Sequence, residues 1–389
     1  MPWRERSPMD ERVQFISDYR RQLFTMTNLC DRYGVSRKTG YALIARYERD
    51  GIGGLVPRSS RPHASPQATP WAIEHAIVAM RKQFPTWGGK KIIATLHDRH
   101  PTWHLPAVST ANDIVKRHGL VMPRPRRRLV GHPGYQPRAA AAPNDIWTTD
   151  FKGQFRTTDA RWCYPLTIVD AFSRYVIACR GMIAPTTRDT VAVFRRAFQT
   201  YGMPGVIRSD NGEPFAAPSL ARLSRLSVWW IRLGITPELI DPASPQQNGA
   251  HERMHRTLKA ETTWPVAANL GVQQRRLTRF RTTYNDVRPH EALGQQPPQR
   301  LYRRSARAFP ERLVPLEYPG HYEIRRVSSC GGIRWKSRAI SISTVLRRED
   351  IGFEPIADGE WDVHFGPVRL GRFDERRHRL EPVGVWKRR

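Results

Sequence analysis

From residue 143 onward the chain changes its apolar period, and that change limits the fold more than any other feature of the sequence. Strand-like runs occupy 146–156, 162–170 and 173–180, and a helical stretch follows at about 188–201. Gly205 then precedes the strand Val206-Ile207-Arg208-Ser209-Asp210, followed by a helix at about 218–233, a short strand near 235–240 and helices from about 249 and 272. Several strands, then strands alternating with helices, make residues 143–305 an α/β domain on a mixed sheet. Residues 309–389 differ again. Ile333 to Ile342 alternate in polarity, and turns at Asp358-Gly359 and Phe365-Gly366-Pro367 punctuate the rest, which predicts a small antiparallel, barrel-like β domain.

Ahead of residue 143 the pattern is all-α. A first unit, residues 1–60, shows helical spacing at Val13, Ile16 and Tyr19 and again at Tyr41, Ile44 and Tyr47. Gly34 suits the turn between two helices and Ser36 caps the second, which together form a helix-turn-helix pattern. Arg37, Lys38 and Thr39 open its recognition helix, the part of such a motif that reads base edges. A linker rich in Pro, Ser and Arg spans 57–69. A second helical unit, 70–122, is expected to hold helices at Trp71–Phe84, Lys90–His97 and Ser109–His118, with Ser109 as a cap and Gly119 as a stop. Its few acids favour a second DNA-binding unit over a spacer. His97, His100 and His104 lack an accompanying cysteine pair and are not read as a zinc site. Residues 123–142, with Arg126, Arg127 and Arg128, form an extended basic linker suited to tracking phosphates.

Charge narrows the function. Lys and Arg total 64 against 35 Asp and Glu, a net +29 over 389 residues, and the excess is spread along the whole chain rather than gathered in a tail. Such a balance argues against a generic metabolic enzyme and for a polyanionic partner, bound with strong salt dependence. No apolar run approaches the ~18 residues of a membrane span, and no apolar segment follows the charges of Met1–Arg6, so neither a membrane anchor nor a signal peptide is expected. Four scattered cysteines fit a reducing, cytoplasmic setting.

In so basic a chain, acids at strand ends need a reason. Asp150 lies in Trp147-Thr148-Thr149-Asp150-Phe151-Lys152, and Asp210 ends a strand ahead of Asn211-Gly212. Glu252 opens a helix after Ser244-Pro245-Gln246-Gln247-Asn248-Gly249-Ala250-His251. Converging carboxylates repel unless cations sit between them, and hard oxygen donors suit Mg2+ or Mn2+. Taken singly, however, Asp-Asn-Gly is an ordinary turn. These segments, with Asn285-Asp286-Val287-Arg288-Pro289-His290, resemble those of bacterial insertion-sequence transposases of the Asp-Asp-Glu integrase superfamily. The resemblance covers nearly the whole chain and is strongest over 143–305, the counterpart of the family's integrase core. It implies a ribonuclease H-like fold there, two metal ions held by Asp150, Asp210 and Glu252, and a small barrel at the C-terminus that grips DNA without base specificity. It also implies the reaction: hydrolysis at transposon ends, then attack of the exposed 3′-hydroxyl on target DNA, with no covalent protein–DNA intermediate. A bacterial, nucleoid-associated protein working as at least a homodimer on paired ends follows from the same likeness, with transposon-end and target duplexes as its partners.

Asn248, His251, Arg253, His255 and Lys259, on or beside the helix of Glu252, are candidate contacts to transposon-end phosphates. Asp210 and Glu252 stand a little further apart than is commonest in the superfamily, which places extra residues around Leu226–Asp241 and a mobile loop at Pro242–Gly249. The N-terminal region also lacks the His/Cys zinc module of retroviral relatives. Asp170, at another strand end, is read as structural. Two rival readings remain. His251-Glu252-Arg253-Met254-His255 is a literal His-Glu-x-x-His, the zinc-binding helix of metalloproteases. The other rival is a DNA-binding remnant without catalysis.

Overall fold

The computed structural model describes residues 7–57, 68–121, 138–240 and 249–382. The chain forms two compact units, Met1–Ala68 and Thr69–Arg389.

The first unit packs α1 (Pro8–Arg20), α2 (Met26–Arg32) and α3 (Arg37–Asp50). Ser7, Thr25 and Ser36 cap the three helices, each side chain accepting a backbone N–H of the first turn. Gly34, at φ +62, makes the left-handed turn between α2 and α3. Gly40 lets the helices cross closely, since a Cβ there would lie 2.6 Å from the Met26 Cε and 2.7 Å from the Cys30 Sγ. The core is Phe15, Ile16, Leu29, Cys30, Leu43, Ile44 and Leu55. Val13, Tyr19 and Tyr41, expected on the apolar faces, are exposed. Adjacent pairs, Phe15-Ile16 and Leu43-Ile44, straddle the helix seams, and a three-residue spacing does not reveal which neighbours the seam takes.

The second unit begins with α4 (Trp71–Gln83), α5 (Gly89–Arg99) and α6 (Val108–Arg117), packed over Ile77, Trp87, Ile92 and Ile114. The expected cap at Ser109 is corrected: α6 starts a residue earlier, after Ala107, which makes no side-chain cap. Gly119, at φ +67, ends it.

The central domain holds β1 (Ile146–Phe151), β2 (Phe155–Arg156), β3 (Trp162–Asp170), β4 (Val176–Met182), α7 (Thr187–Tyr201), β5 (Val206–Ser209), α8 (Arg225–Arg232), β6 (Thr236–Leu239), α9 (Gly249–Thr262), α10 (Leu270–Asp286) and α11 (Pro298–Leu301). The sheet runs β4-β3-β1-β5-β6, with β2 also on β3. β3 is antiparallel to both β1 and β4, whereas β5 is parallel to β1 and β6. This is the mixed sheet of the ribonuclease H-like fold. Period-two alternation sends Trp147, Leu166, Ile168 and Ile207 to one face, where α7 and α8 pack with Phe194, Phe198 and Trp230. Val169, Val176 and Cys179 meet Met254, Leu258, Leu277 and Tyr284 of α9 and α10 on the other.

The Asn285–His290 segment ties α4–α6 to this domain. Val287 packs into the helical core. The Arg288 Nη1 donates to the Glu261 Oε1 at 2.7 Å, which also accepts from the Thr86 hydroxyl at 2.6 Å. Lys91 donates to the Pro289 carbonyl. Arg288 is buried, so Arg288→Met leaves the Glu261 charge without its partner. The expected loss is about 3 kcal/mol of stability, read as a lower urea midpoint at unchanged slope; an unchanged midpoint contradicts this account of the junction.

The C-terminal strands are β7 (Glu323–Arg326), β8 (Gly332–Trp335), β9 (Arg338–Ser341), β10 (Asp350–Ala357), β11 (Glu360–Phe365), β12 (Val368–Asp374) and β13 (Arg379–Pro382). They form an open five-stranded antiparallel sheet, β13-β12-β11-β10-β7, and a separate β8–β9 hairpin. One core, built on Trp335, Phe353, Phe365 and Phe373, lies under both. Val228 and Ile231 of α8 enter that core while Leu226 and Trp230 face the central domain, so α8 is buried on two sides. The Arg232–Glu349 ion pair at 2.6 Å reinforces the joint.

Candidate active site

Register places the first two acids. Thr148 and Thr149 of β1 pair with Arg208 and Ser209 of β5 in parallel. The next residues, Asp150, still paired with Thr167 of β3, and Asp210, just past the end of β5, therefore come side by side near the C-terminal ends of neighbouring parallel strands, where α/β folds commonly place their ligand sites. Asn211 anchors the turn by donating to the Ile240 carbonyl at 2.6 Å, and the Gly212 N–H donates to the Asp210 Oδ1 at 3.2 Å. A Cβ on Gly212 would stand 3.3 Å from the Asp210 Oδ2, so a side chain there would press on that carboxylate.

Glu252 comes from α9. His251, Met254, His255, Leu258 and Thr262 form the buried face of that helix, spaced by three and four residues. Glu252, Arg253, Arg256 and Lys259 are exposed. The Asp150 carboxyl is pushed up to about 7, first by burial, then by the Asp210 charge, and more weakly by Glu252. Burial raises Asp210 as well. All three carboxylates thus act on one locality, and their repulsion is what a hard divalent cation would relieve. Among the described residues, no group of three or more His, Cys, Asp or Glu is drawn close enough to hold a metal ion. The donor chemistry nevertheless fits Mg2+ or Mn2+.

Behind Asp150 lies a buried polar network that the sequence did not reveal. His251 and His255 are only 2% and 6% exposed. The His251 Nδ1 meets the Thr148 hydroxyl at 2.8 Å, and its Nε2 meets the Thr167 hydroxyl at 2.6 Å. The His255 Nε2 reaches the same Thr167 oxygen at 2.7 Å. Thr167 donates its single proton to the Asp150 carbonyl at 3.1 Å. With the Thr167 proton on the Asp150 carbonyl, both imidazoles donate from Nε2, and the Thr148 hydroxyl, 3.4 Å from the Val169 carbonyl, donates to the nearer His251 Nδ1. The His255 Nδ1 faces the Asp150 Oδ2 at 3.6 Å, too far for a hydrogen bond. Burial, followed by the Lys152 charge, lowers His255 to about 3. Burial, followed by His255, takes His251 well below its ordinary value.

This corrects the reading of His251 and His255 as phosphate contacts, because both rings are interior. It also weakens the zinc reading of His251-Glu252-Arg253-Met254-His255, since both His251 nitrogens and one His255 nitrogen are already bonded to threonines. Thr167→Val, nearly isosteric, strands two buried imidazole donors; about 3 kcal/mol of stability should be lost in chemical unfolding. A loss within 0.5 kcal/mol, the ordinary range of surface changes, would count against the network.

The other candidate residues fall as follows. Arg37, Lys38 and Thr39 are exposed at the start of α3. Arg253 and Lys259 are exposed on α9. Arg126, Arg127, Arg128 and Asn248 lie outside the described residues, as does most of the Pro242–Gly249 segment. Asp170 is buried, and its oxygens accept from the Asn144 N–H at 2.7 Å, the Ser173 N–H at 2.8 Å and the Ser173 hydroxyl at 2.6 Å. It therefore holds the β3–β4 turn.

Comparison with known proteins agrees with this architecture. Two family descriptions, both "Integrase core domain", match residues 140–245 and 233–298. A third, the leucine-zipper of insertion element IS481, matches residues 9–83. An uncharacterized 39.2 kDa protein of insertion element IS476 from Xanthomonas euvesicatoria is 28% identical over 194 residues, covering 48% of this chain and 51% of that one. A protein of insertion element IS407 from Burkholderia multivorans is 27% identical over 46% of this chain and 59% of its own length. The chain thus spans between half and three-fifths of these insertion-element relatives. The Gag-Pol polyprotein of baboon endogenous virus is 32% identical over 40% of this chain and 9% of its own. Among solved structures, the HTLV-2 integrase catalytic core domain in complex with magnesium aligns over 43% of this chain and all of that one, at 18% identity and a TM-score of 0.34. The chain therefore carries an integrase core domain, and its relatives are insertion-element proteins and retroviral polyproteins.

Proposed function

We propose that the chain is a DNA transposase that binds the terminal inverted repeats of its element, cleaves to expose 3′-hydroxyls and joins them to target DNA. The observation that carries this reading is the placement of Asp150 and Asp210 one residue beyond the Thr149–Ser209 pair of adjacent parallel strands, with the charge of Glu252 acting on the same locality, in a chain of net charge +29. Asp150, Asp210 and Glu252 would hold two Mg2+ or Mn2+ ions. Such ions supply an activated attacking hydroxyl and a stabilised leaving oxygen in phosphodiester chemistry.

The rest of the chain orients DNA. Arg37, Lys38 and Thr39 sit where base edges are read, and the 70–122 helices are a second end-recognition unit. Arg126, Arg127 and Arg128 track phosphates along the basic linker. Arg253 and Lys259 meet end phosphates beside the acids, with Asn248 preceding them. The C-terminal sheet and hairpin, sharing one core, act as a small barrel-like unit that grips DNA without base specificity. Coordinated cutting of two ends calls for at least a dimer, at work on chromosomal DNA in the cytoplasm. Among the described residues no helix is long and apolar enough to cross a membrane.

The test is strand transfer by purified protein on labelled DNA bearing the element's own ends, with plasmid target and Mg2+, Mn2+ or Zn2+. Joined product with Mg2+ or Mn2+ supports the reading. Tight binding without joining under any metal supports the remnant, and peptide hydrolysis with Zn2+ supports the protease.

A further inference from the structure

Arg174 sits on the β3–β4 turn at φ +63, a left-handed backbone unusual for a long side chain. The turn is locked, because Asp170 accepts from Ser173 and the Val176 N–H donates to the Asn285 Oδ1 at 2.8 Å. Val176, Met254 and Tyr284 share one buried cluster, which brings the turn, the start of α9 and the end of α10 to one corner. Arg253, beside Met254, arrives at that corner next to Glu252. Arg288 stands 6.0 Å from the centre of the Tyr284 ring.

The charges at this corner are not balanced. Arg288 is paired with Glu261. Among the described residues, the guanidinium groups of Arg174 and Arg253 have no hydrogen bond or ion pair. Asp170 has both oxygens engaged by Asn144 and Ser173. Arg174 is half-buried, and burial together with the Arg253 charge holds it below its ordinary value. The Asp170 charge reaches Arg174, but its oxygens are taken by Asn144 and Ser173, so among the described residues neither guanidinium at this corner has a carboxylate bonded to it; their planar forks match phosphate oxygens.

We propose that Arg174 and Arg253 form a subsite for one backbone phosphate of the DNA, fixing the strand's register beside Glu252. This rests on the DNA-processing reading above. Arg174 is then a binding residue in a turn whose sequence, Asp170-Ala171-Phe172-Ser173-Arg174, otherwise looks purely structural.

The test compares wild type with Arg174→Asn, which removes the charge and tolerates the left-handed backbone, and with Arg174→Lys, which keeps the charge. Binding of a short duplex of arbitrary sequence is titrated against salt without divalent metal. Losing one phosphate contact makes the log–log salt slope shallower by about 0.9. The expected result is that shift in Arg174→Asn and no shift in Arg174→Lys. Melting with added pyrophosphate is the second readout: the wild type gains stability from it and Arg174→Asn gains less. A wild-type slope in Arg174→Asn overturns the subsite, and so does a lower melting temperature in phosphate-free buffer with the slope retained, which marks a structural role. Should Arg174→Asn fail to fold, Arg174→Gly fits the same backbone and is read by the same criteria. Absence of salt-dependent binding in the wild type overturns the DNA reading itself, together with the subsite.

Discussion

Asp150→Asn, Asp210→Asn and Glu252→Gln each abolish strand transfer while leaving DNA binding intact. Each substitution keeps the shape of the side chain and removes an anionic oxygen donor from the place where Asp210 and Glu252 act on Asp150. The ions they would hold contribute several kcal/mol to phosphoryl transfer, so the rate should fall on the order of 10³-fold or more, equivalent to about 4 kcal/mol. Binding survives because attraction to DNA comes from the dispersed +29, which loss of a single negative charge does not weaken. Joining rates and filter-binding affinities on the same preparations separate the two effects. Wild-type joining in all three variants would remove these residues from the site.

The second large effect is on stability. In the folded chain the Asp150 carboxyl is held near 7, against 3.8 for the free group, chiefly by burial and then by Asp210. A folded-state value above the unfolded one means that the native state binds the proton more tightly. The resulting stability is fully present below pH ~4 and is lost as pH rises towards 7. At 1.36 kcal/mol per pH unit this is on the order of 4 kcal/mol for Asp150 alone. In metal-free buffer, Asp150→Asn should therefore be more stable than wild type above neutrality, with the gap closing at low pH. Mg2+ should restore wild type and do little for the variant. Urea midpoints between pH 5 and 8 check this, and parallel pH profiles for the two proteins would contradict it.

What could be read from the sequence was whatever local pattern decides. The change of period at 143 marks the central domain, Gly34 and Ser36 mark the turn and cap of α3, and the α4–α6 boundaries fall within a residue or two of expectation. The Asp-Asn-Gly turn was visible because those residue types favour a turn by themselves. What could not be read depends on contacts distant in the chain. His251 and His255 stand among Arg253, Arg256 and Lys259 and look like members of a basic face. Only the approach of α9 to Thr148 and Thr167 turns them inward. Val287 and Arg288 stand in the sequence only as part of the Asn285–His290 motif, and become a joint once α4–α6 dock on them. The two-sided burial of α8 is likewise invisible, since Leu226, Val228, Trp230 and Ile231 read as one apolar helix until two cores divide them. Seam choice between Val13 and Phe15, or Tyr41 and Leu43, is set by helix crossing, with Gly40 as its local trace.

The most direct measurement is a joining reaction with Mg2+ on two versions of the element's end, one with a terminal 3′-hydroxyl and one without. The account predicts joined product only from the hydroxyl-bearing end, lost in Glu252→Gln, and no denaturant-stable protein–DNA adduct. Joining from the end that lacks the hydroxyl, or a covalent adduct in its place, would contradict it.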